Sequence, residues 1–149
     1  MENKERKLYK TLMLLFWANI LLLLTVLTFI LFSKGLTFGT ATSTNVVFEQ
    51  YTIIISLASI PIALKLFHTQ YRRIVELEHQ KFLEKYLPAY LLRMFVLDAA
   101  AILNIAGLYL FNSKNSVYMT IIIIFALFFC YPNRKSLEEA NDTTSEIKD

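Results

Sequence analysis

The stretch AYLLRMFVLDAAAILNIAGLYLF, residues 89–111, decides the fold of this 149-residue chain. It is long enough for a helix to cross a membrane, because about 20 apolar residues span roughly 30 Å of hydrocarbon. Three other apolar runs accompany it, at residues 8–32, 47–67 and 117–131. The last run is short, so its helix must tilt little, thin the bilayer or extend past the run. The four runs predict an all-α integral membrane protein, a bundle of four transmembrane helices.

The composition of the chain indicates a single membrane domain. The chain is 56% hydrophobic and 18% charged, which is too apolar for a soluble domain of this size. We expect residues 1–132 to form the membrane domain and residues 133–149, which are mostly polar, to form a flexible cytoplasmic tail. Cys130 is the only cysteine, so no disulfide can form within the chain.

The basic residues are concentrated on one side of the predicted spans. Of the 15 Lys and Arg residues, all but Lys34 and Lys114 lie before the first span, around the connection 68–87 or after the fourth span. By the positive-inside rule, both termini and that connection are expected in the cytoplasm. Because these basic residues lie against the membrane and alternate with acids, the net charge of +3 indicates contact with the lipid bilayer and no nucleic-acid partner.

The connection between spans two and three, residues 68–87, has the pattern of an amphipathic helical segment. Its apolar residues recur at helical spacing between charged ones, which predicts a helix that prolongs the second span or lies on the membrane surface. Pro61 lies inside the second run and predicts a kink there. Pro88 precedes the third run, where we expect it to mark the start of the span.

Asp98 is the residue that most suggests a function. It lies about ten residues into the third span, roughly 15 Å along the helix axis and near the bilayer midplane. A lone carboxylate at that depth is costly, so it is expected to face the bundle, bind a partner or hold its proton. Asn19 lies at a comparable depth in the first span and is the expected hydrogen-bond partner. The pair is either a proton or cation site or a buried hydrogen bond that fixes helix packing.

Two further polar residues of the third span, on another face of the helix from Asp98, complete the candidate intramembrane site. Asn104 forms a stripe with Ala100 and Gly107, small residues that allow another helix to approach closely. Arg93 falls on the same side near the inner end of the span, where its side chain can snorkel to the interface. Arg93 and Asp98 are separated by about 140° around the helix, which disfavours a direct pair.

Sequence motifs for catalysis, cofactors or metals do not stand out. Glu76 and His79 have the i, i+3 spacing of carboxylate-bridged metal sites, but such sites in bundles need two of these pairs and further Glu residues. The sequence has neither a nucleophile elbow nor a phosphate-binding glycine loop, and it contains three glycines in total. We therefore expect no catalytic residue, no cofactor and no metal.

The sequence favours two functions and leaves a third class open, a membrane-embedded enzyme, which a bound lipid or quinone surviving purification would reveal. The first is a non-enzymatic accessory or interaction subunit of a membrane complex, bound to another membrane protein or to a second copy of itself. The alternative is a small oligomeric proton- or cation-coupled transporter or channel that uses Asp98. In span count and length the chain resembles the small multidrug transporters. That family carries its essential acid in the first span and is rich in glycine, so the chain is not assigned to it.

The expected location is a bacterial inner membrane. The basis is compositional, because the frequent use of Ile, Lys and Asn suggests an AT-rich bacterial genome.

Overall fold

The computed structural model describes residues 2–34, 46–77 and 79–135. Those residues form helices and no strands, and the helices are α1 (Glu2–Ser33), α2 (Val46–Val75), α3 (His79–Phe111) and α4 (Lys114–Phe128). The first three are long and apolar enough to cross a membrane, whereas α4 is apolar but shorter. The predicted all-α class is confirmed, with three helices of spanning length. Most of the predicted tail, from residue 136 onward, lies outside the described residues.

The helices α2, α3 and α4 pack against one another and are called here the three-helix core. The α2–α3 contact is the most extensive, and α1 packs mainly on α3 with a smaller contact to α4. Successive helices run in opposite directions. The "turn end" of the molecule is where α3 meets α4, and the "termini end" is where α1 begins and α4 ends. The main apolar cluster joins α1, α3 and α4 through residues that include Phe16, Ile20, Leu97, Ala101, Ile123 and Leu127.

The 68–87 segment forms the ends of two long helices. The 30 residues of α2 and the 33 residues of α3 correspond to about 45 and 50 Å of helix. The turn between them includes Glu76 and Leu77, and the Leu77 amide donates to the Ile74 carbonyl at 3.0 Å. Residues 68–75 therefore prolong α2, as predicted, whereas residues 79–87 belong to the start of α3, which the sequence pattern did not predict.

Aromatic packing explains why the helical hairpin continues beyond spanning length. Phe67 of α2 contacts Tyr86 of α3, and Tyr71 of α2 contacts both Phe82 and Tyr86, with ring centroids 6.0–6.3 Å apart. These contacts bury the apolar face that the sequence pattern identified. Pro88 was predicted to mark the start of the third span, and it lies inside α3, nine residues after the helix begins at His79. Tertiary packing on both sides of Pro88 outweighs the single backbone hydrogen bond that proline removes.

The α3–α4 connection is shorter than predicted. Asn112 adopts φ 51°, a left-handed conformation that asparagine tolerates better than most residues. Ser113 then caps α4, accepting a hydrogen bond from the Ser116 amide. This cap starts α4 at Lys114, three residues before the predicted span.

The fourth helix also ends earlier than the predicted boundary at residue 131. Beyond Phe128 the chain tightens, and the amides of Phe129, Cys130 and Tyr131 each donate to the carbonyl three residues back, at 2.8–3.1 Å. Such bonds are typical of the last turn of a helix. With 15 residues, α4 is about 22 Å long, shorter than the roughly 30 Å of a hydrocarbon core.

Candidate functional site

Asp98 and Asn19 form a hydrogen-bonded pair between α1 and α3. The Asn19 amide nitrogen Nδ2 donates to Asp98 Oδ1 at 2.8 Å. Asp98 lies 13 residues before the end of α3 at Phe111, which is about 20 Å along the axis. Asn19 lies near the middle of α1. The structure thus brings together the two residues that the sequence placed at a common depth.

The pair lies in an open groove of about 540 Å³ between α1 and α3. Both polar side chains are partly exposed. The rest of the groove wall is apolar and consists of Leu15, Pro88, Leu91, Leu92, Met94 and Phe95. We call this feature the α1–α3 groove. It presents one carboxylate and one amide on an otherwise hydrocarbon-like surface.

Asp98 has no cationic partner among the described residues. Asn19 is its hydrogen-bond partner, and the nearest basic residue of α3 in sequence, Arg93, is engaged elsewhere. A carboxylate with a single amide partner retains acceptor capacity for further hydrogen bonds. The groove can therefore accept a cation or a hydrogen-bond donor from outside these residues.

Arg93 caps the end of α4. It is 9% exposed, its Nη2 donates to the Phe129 carbonyl at 3.2 Å, and its guanidinium lies 4.9 Å from the Phe67 ring centroid. The Tyr90 hydroxyl donates to the neighbouring Cys130 carbonyl at 2.9 Å. A cation and a donor at a helix C-terminus stabilise its unpaired carbonyls. The sequence did not predict this contact, which arises because the short α4 ends beside Arg93.

Asn104 lies in a second polar region, inside the three-helix core. It is fully buried, and its Nδ2 donates to Ser56 Oγ of α2 at 2.5 Å and to the Ala100 carbonyl at 2.8 Å. The three-helix core also buries further hydroxyl residues of α2 and α4, namely Thr52, Ser59, Ser116 and Thr120. We call this group, with Ser56 and Asn104, the polar seam. The structure thus separates Asn104 and Arg93 from the Asp98–Asn19 pair.

Close packing accompanies the polar seam. Ala100, Asn104 and Gly107 are all buried on α3, as the small-residue stripe predicted. At Gly107 an added Cβ would lie 2.8 Å from the Phe48 ring and 3.0 Å from Ser116 Oγ. Only glycine therefore lets α2 and α4 approach α3 this closely at that position.

Glu49 and the α2 hydroxyl residues were missed at the sequence level. Glu49 accepts hydrogen bonds from Ser113 Oγ at 2.5 Å and from Asn115 Nδ2 at 3.2 Å, which ties α2 to the α3–α4 turn. Thr52, Ser56 and Ser59 recur at intervals of four and three residues, so the helical period of the small polar residues could have identified the buried face of α2.

Comparisons with known proteins add no assignment. No protein-family model matches the chain, and the searches of curated proteins and of solved structures find no match. Among the described residues, no group of three or more His, Cys, Asp or Glu side chains is arranged to hold a metal ion.

Proposed function

We propose that this chain is a multi-pass protein of a bacterial inner membrane that acts as a non-enzymatic accessory subunit. In this proposal its four helices cross or enter the bilayer with both termini in the cytoplasm, and the α1–α3 groove binds a helix of another membrane protein. The termini end then faces the cytoplasm and the turn end faces outward, in accord with the distribution of Lys and Arg.

The inverted polarity of α2 supports membrane insertion. Its buried face consists of small and hydroxyl residues, including Ser56 at 1% and Ala63 at 0% exposure. Its exposed face carries large aliphatic residues, among them Ile54 at 63% and Leu57 at 51%. In water such a helix would expose its apolar face and bury its polar one, the reverse of the usual pattern. In lipid the arrangement is favourable, because small and hydroxyl residues promote helix contacts there.

The observation that carries the proposed binding role is the exposure of Asp98. A carboxylate near the middle of a membrane helix is costly unless it is paired or faces the protein interior. The α1–α3 groove leaves Asp98 partly exposed beside apolar walls. A partner helix that fills the groove and presents a basic or other hydrogen-bond-donating side chain at this depth would satisfy the carboxylate. Charge complementarity therefore defines the occupant as a transmembrane helix with a donor side chain.

The loose attachment of α1 supports the same interpretation. Its buried apolar residues form one narrow stripe, and they are Leu12, Phe16, Ile20, Leu23 and Leu27. Most of its remaining circumference is exposed, including Leu14 at 68% and Phe29 at 71%. A helix with one contacting face leaves abundant surface for lipid or for a second protein.

The partial exposure of Asp98 also favours a second candidate, an oligomeric proton- or cation-coupled transporter or channel. In that case copies of this chain would meet at the α1–α3 groove and enclose Asp98. The groove walls beside Asp98 are apolar apart from Asn19, and the polar seam lies on another face of α3. An ion path through one copy is thus not evident in the described residues, which ranks this function second.

Native mass spectrometry of the protein, extracted gently into lipid nanodiscs, tests the proposal. We expect a heterologous membrane protein at fixed stoichiometry, and Asp98→Leu is expected to reduce its recovery at least about tenfold, the equivalent of about 1.4 kcal/mol. Thr28→Val is the matched control, because Thr28 is exposed on α1 and bonds its own helix at Leu24. A homo-oligomer without a foreign protein, together with ion flux that Asp98→Asn abolishes, would favour the transporter and overturn the accessory role.

A further inference from the structure

The side-chain amide of Asn104 has a fixed orientation. Its Nδ2 lies against the Ala100 carbonyl and against Ser56 Oγ. The Ser56 hydroxyl already donates to the Thr52 carbonyl at 2.7 Å, so both neighbours of Nδ2 act as acceptors. A flipped amide would place its oxygen against two acceptors, which the hydrogen-bonding network disfavours. The oxygen Oδ1 therefore points to the other side of the amide plane.

That oxygen is buried and has no hydrogen-bond partner among the described residues. The hydroxyls of Thr52, Ser56, Ser59 and Thr120 do not supply one, because each donates to a carbonyl of its own helix at 2.7–2.8 Å. Ser116 Oγ makes no hydrogen bond to it either. Buried side-chain acceptors in folded proteins are bonded to protein or to ordered water in the large majority of cases. The polar seam thus has acceptors to spare and lacks a donor.

We propose that Asn104 Oδ1 binds an internal water molecule inside the three-helix core. Water donates two hydrogen bonds, and the seam offers hydroxyl oxygens as acceptors for the second one. An anion is disfavoured by this acceptor-rich lining. A metal cation is disfavoured because the polar seam contains no acidic residue, and Glu49 of α2 is bonded to Ser113 and Asn115 at the turn end.

The water site belongs to the half of the core nearer the turn end. The buried hydroxyl residues run from Thr52 and Ser116 to Ser59. Beyond them, toward the termini end, the core becomes apolar with Ala63, Leu97 and Leu127. Bound water would therefore be confined to one half of the three-helix core.

Water-edited solid-state NMR of the full-length protein in lipid bilayers tests the inference, with ¹³C-labelled Ser and Thr as reporters. We expect magnetisation to pass from water to the Ser56 and Thr120 side chains at short mixing times. Thr28 is the internal control, since its hydroxyl also bonds its own helix but its side chain lies outside the core. Absence of transfer to Ser56 and Thr120, or equal transfer to Thr28, would overturn the water site.

Two variants locate the water on Asn104. Asn104→Leu removes the acceptor together with the donor, so the Thr120 transfer should be lost. Ser56→Ala removes a neighbour of Nδ2 and leaves Oδ1 in place, so the Thr120 transfer should remain. Unchanged transfer in Asn104→Leu would contradict the assignment. If that variant does not fold, Asn104→Val, which also removes Oδ1 and is closer to Asn in volume, takes its place with the same expected loss of the Thr120 transfer.

Discussion

The two polar regions of this chain differ in how they are covered. The polar seam lies within α2, α3 and α4, where Asn104 and Thr120 are fully buried. The α1–α3 groove holds the Asp98–Asn19 pair partly exposed, between apolar walls. Both regions place polar groups deep in apolar helices, yet the chain encloses one and leaves the other open. The comparison indicates that the seam holds the protein together, whereas the groove is available to a partner.

The largest expected effect in the purified protein comes from filling the closest contact beside the seam. Gly107→Leu inserts a side chain where even a Cβ would meet Phe48 and Ser116. We expect overpacking to lower the free energy of unfolding by about 1–3 kcal/mol, measured by steric trapping in bicelles. Ala99→Leu is the control, because Ala99 is exposed on the same helix. Equal stability of the two variants would contradict the close packing of the core.

Removing the cap of α4 is the next largest expected change. Arg93→Met deletes the donor to the Phe129 carbonyl and the cation above Phe67. We expect a loss of about 1–2 kcal/mol of unfolding free energy, since hydrogen bonds to charged groups and cation–π contacts are each of that order. Lys65→Met is the control, because it removes an exposed basic residue and should leave the unfolding free energy nearly unchanged. A fully stable Arg93→Met variant would mean that the guanidinium does not support α4.

A smaller effect is expected from a single hydrogen bond of the seam. Ser56→Ala removes an acceptor of the Asn104 amide and should cost about 0.6 kcal/mol, the average for interhelical hydrogen bonds in a membrane protein. Thr28→Val, which removes only a bond within α1, provides the baseline in the same unfolding assay. If both variants lose the same free energy, the seam bond contributes nothing beyond local helix effects.

The smallest effect on stability is expected in the groove. Asp98→Leu removes a partly exposed carboxylate whose partner is one amide. Because substitutions of exposed side chains outside the packed core usually change stability little, we expect the unfolding free energy to change by less than about 0.5 kcal/mol. A double-mutant cycle with Asn19→Leu measures the coupling of the pair. A loss as large as that of Gly107→Leu would assign Asp98 to packing, and the groove would lose its distinct role.

Depth and helical period predicted much of this arrangement. The Asp98–Asn19 contact follows from the similar depth of the two polar residues in the first and third spans. The burial of Ala100 and Gly107 follows from their spacing along the third span. The continuation of α2 past residue 67 was also evident from the apolar period of the 68–87 segment. These features depend on one helix and its nearest neighbour, so a single sequence contains them.

Other features depend on where elements meet in space, and these the sequence could not predict. Arg93 caps α4 because that helix ends at Phe128. The end of a helix within a continuous apolar run is difficult to predict from the sequence. Glu49 pairs with Ser113 across 64 residues, a separation that no local pattern reports. The helical period already placed Asn104 on another face of α3 than Asp98, but it did not indicate that Asn104 contacts α2 and Asp98 contacts α1.

Site-specific photo-crosslinking in cells tests the central claim, that the α1–α3 groove binds a partner helix, most directly. A benzophenone amino acid replaces Phe95 in the groove wall or Phe125 on α4, two phenylalanines of similar exposure at 69% and 63%. We predict one discrete protein adduct from position 95, lost in Asp98→Leu, and none from position 125. Equal crosslinking at both positions, or none at position 95, would contradict the account.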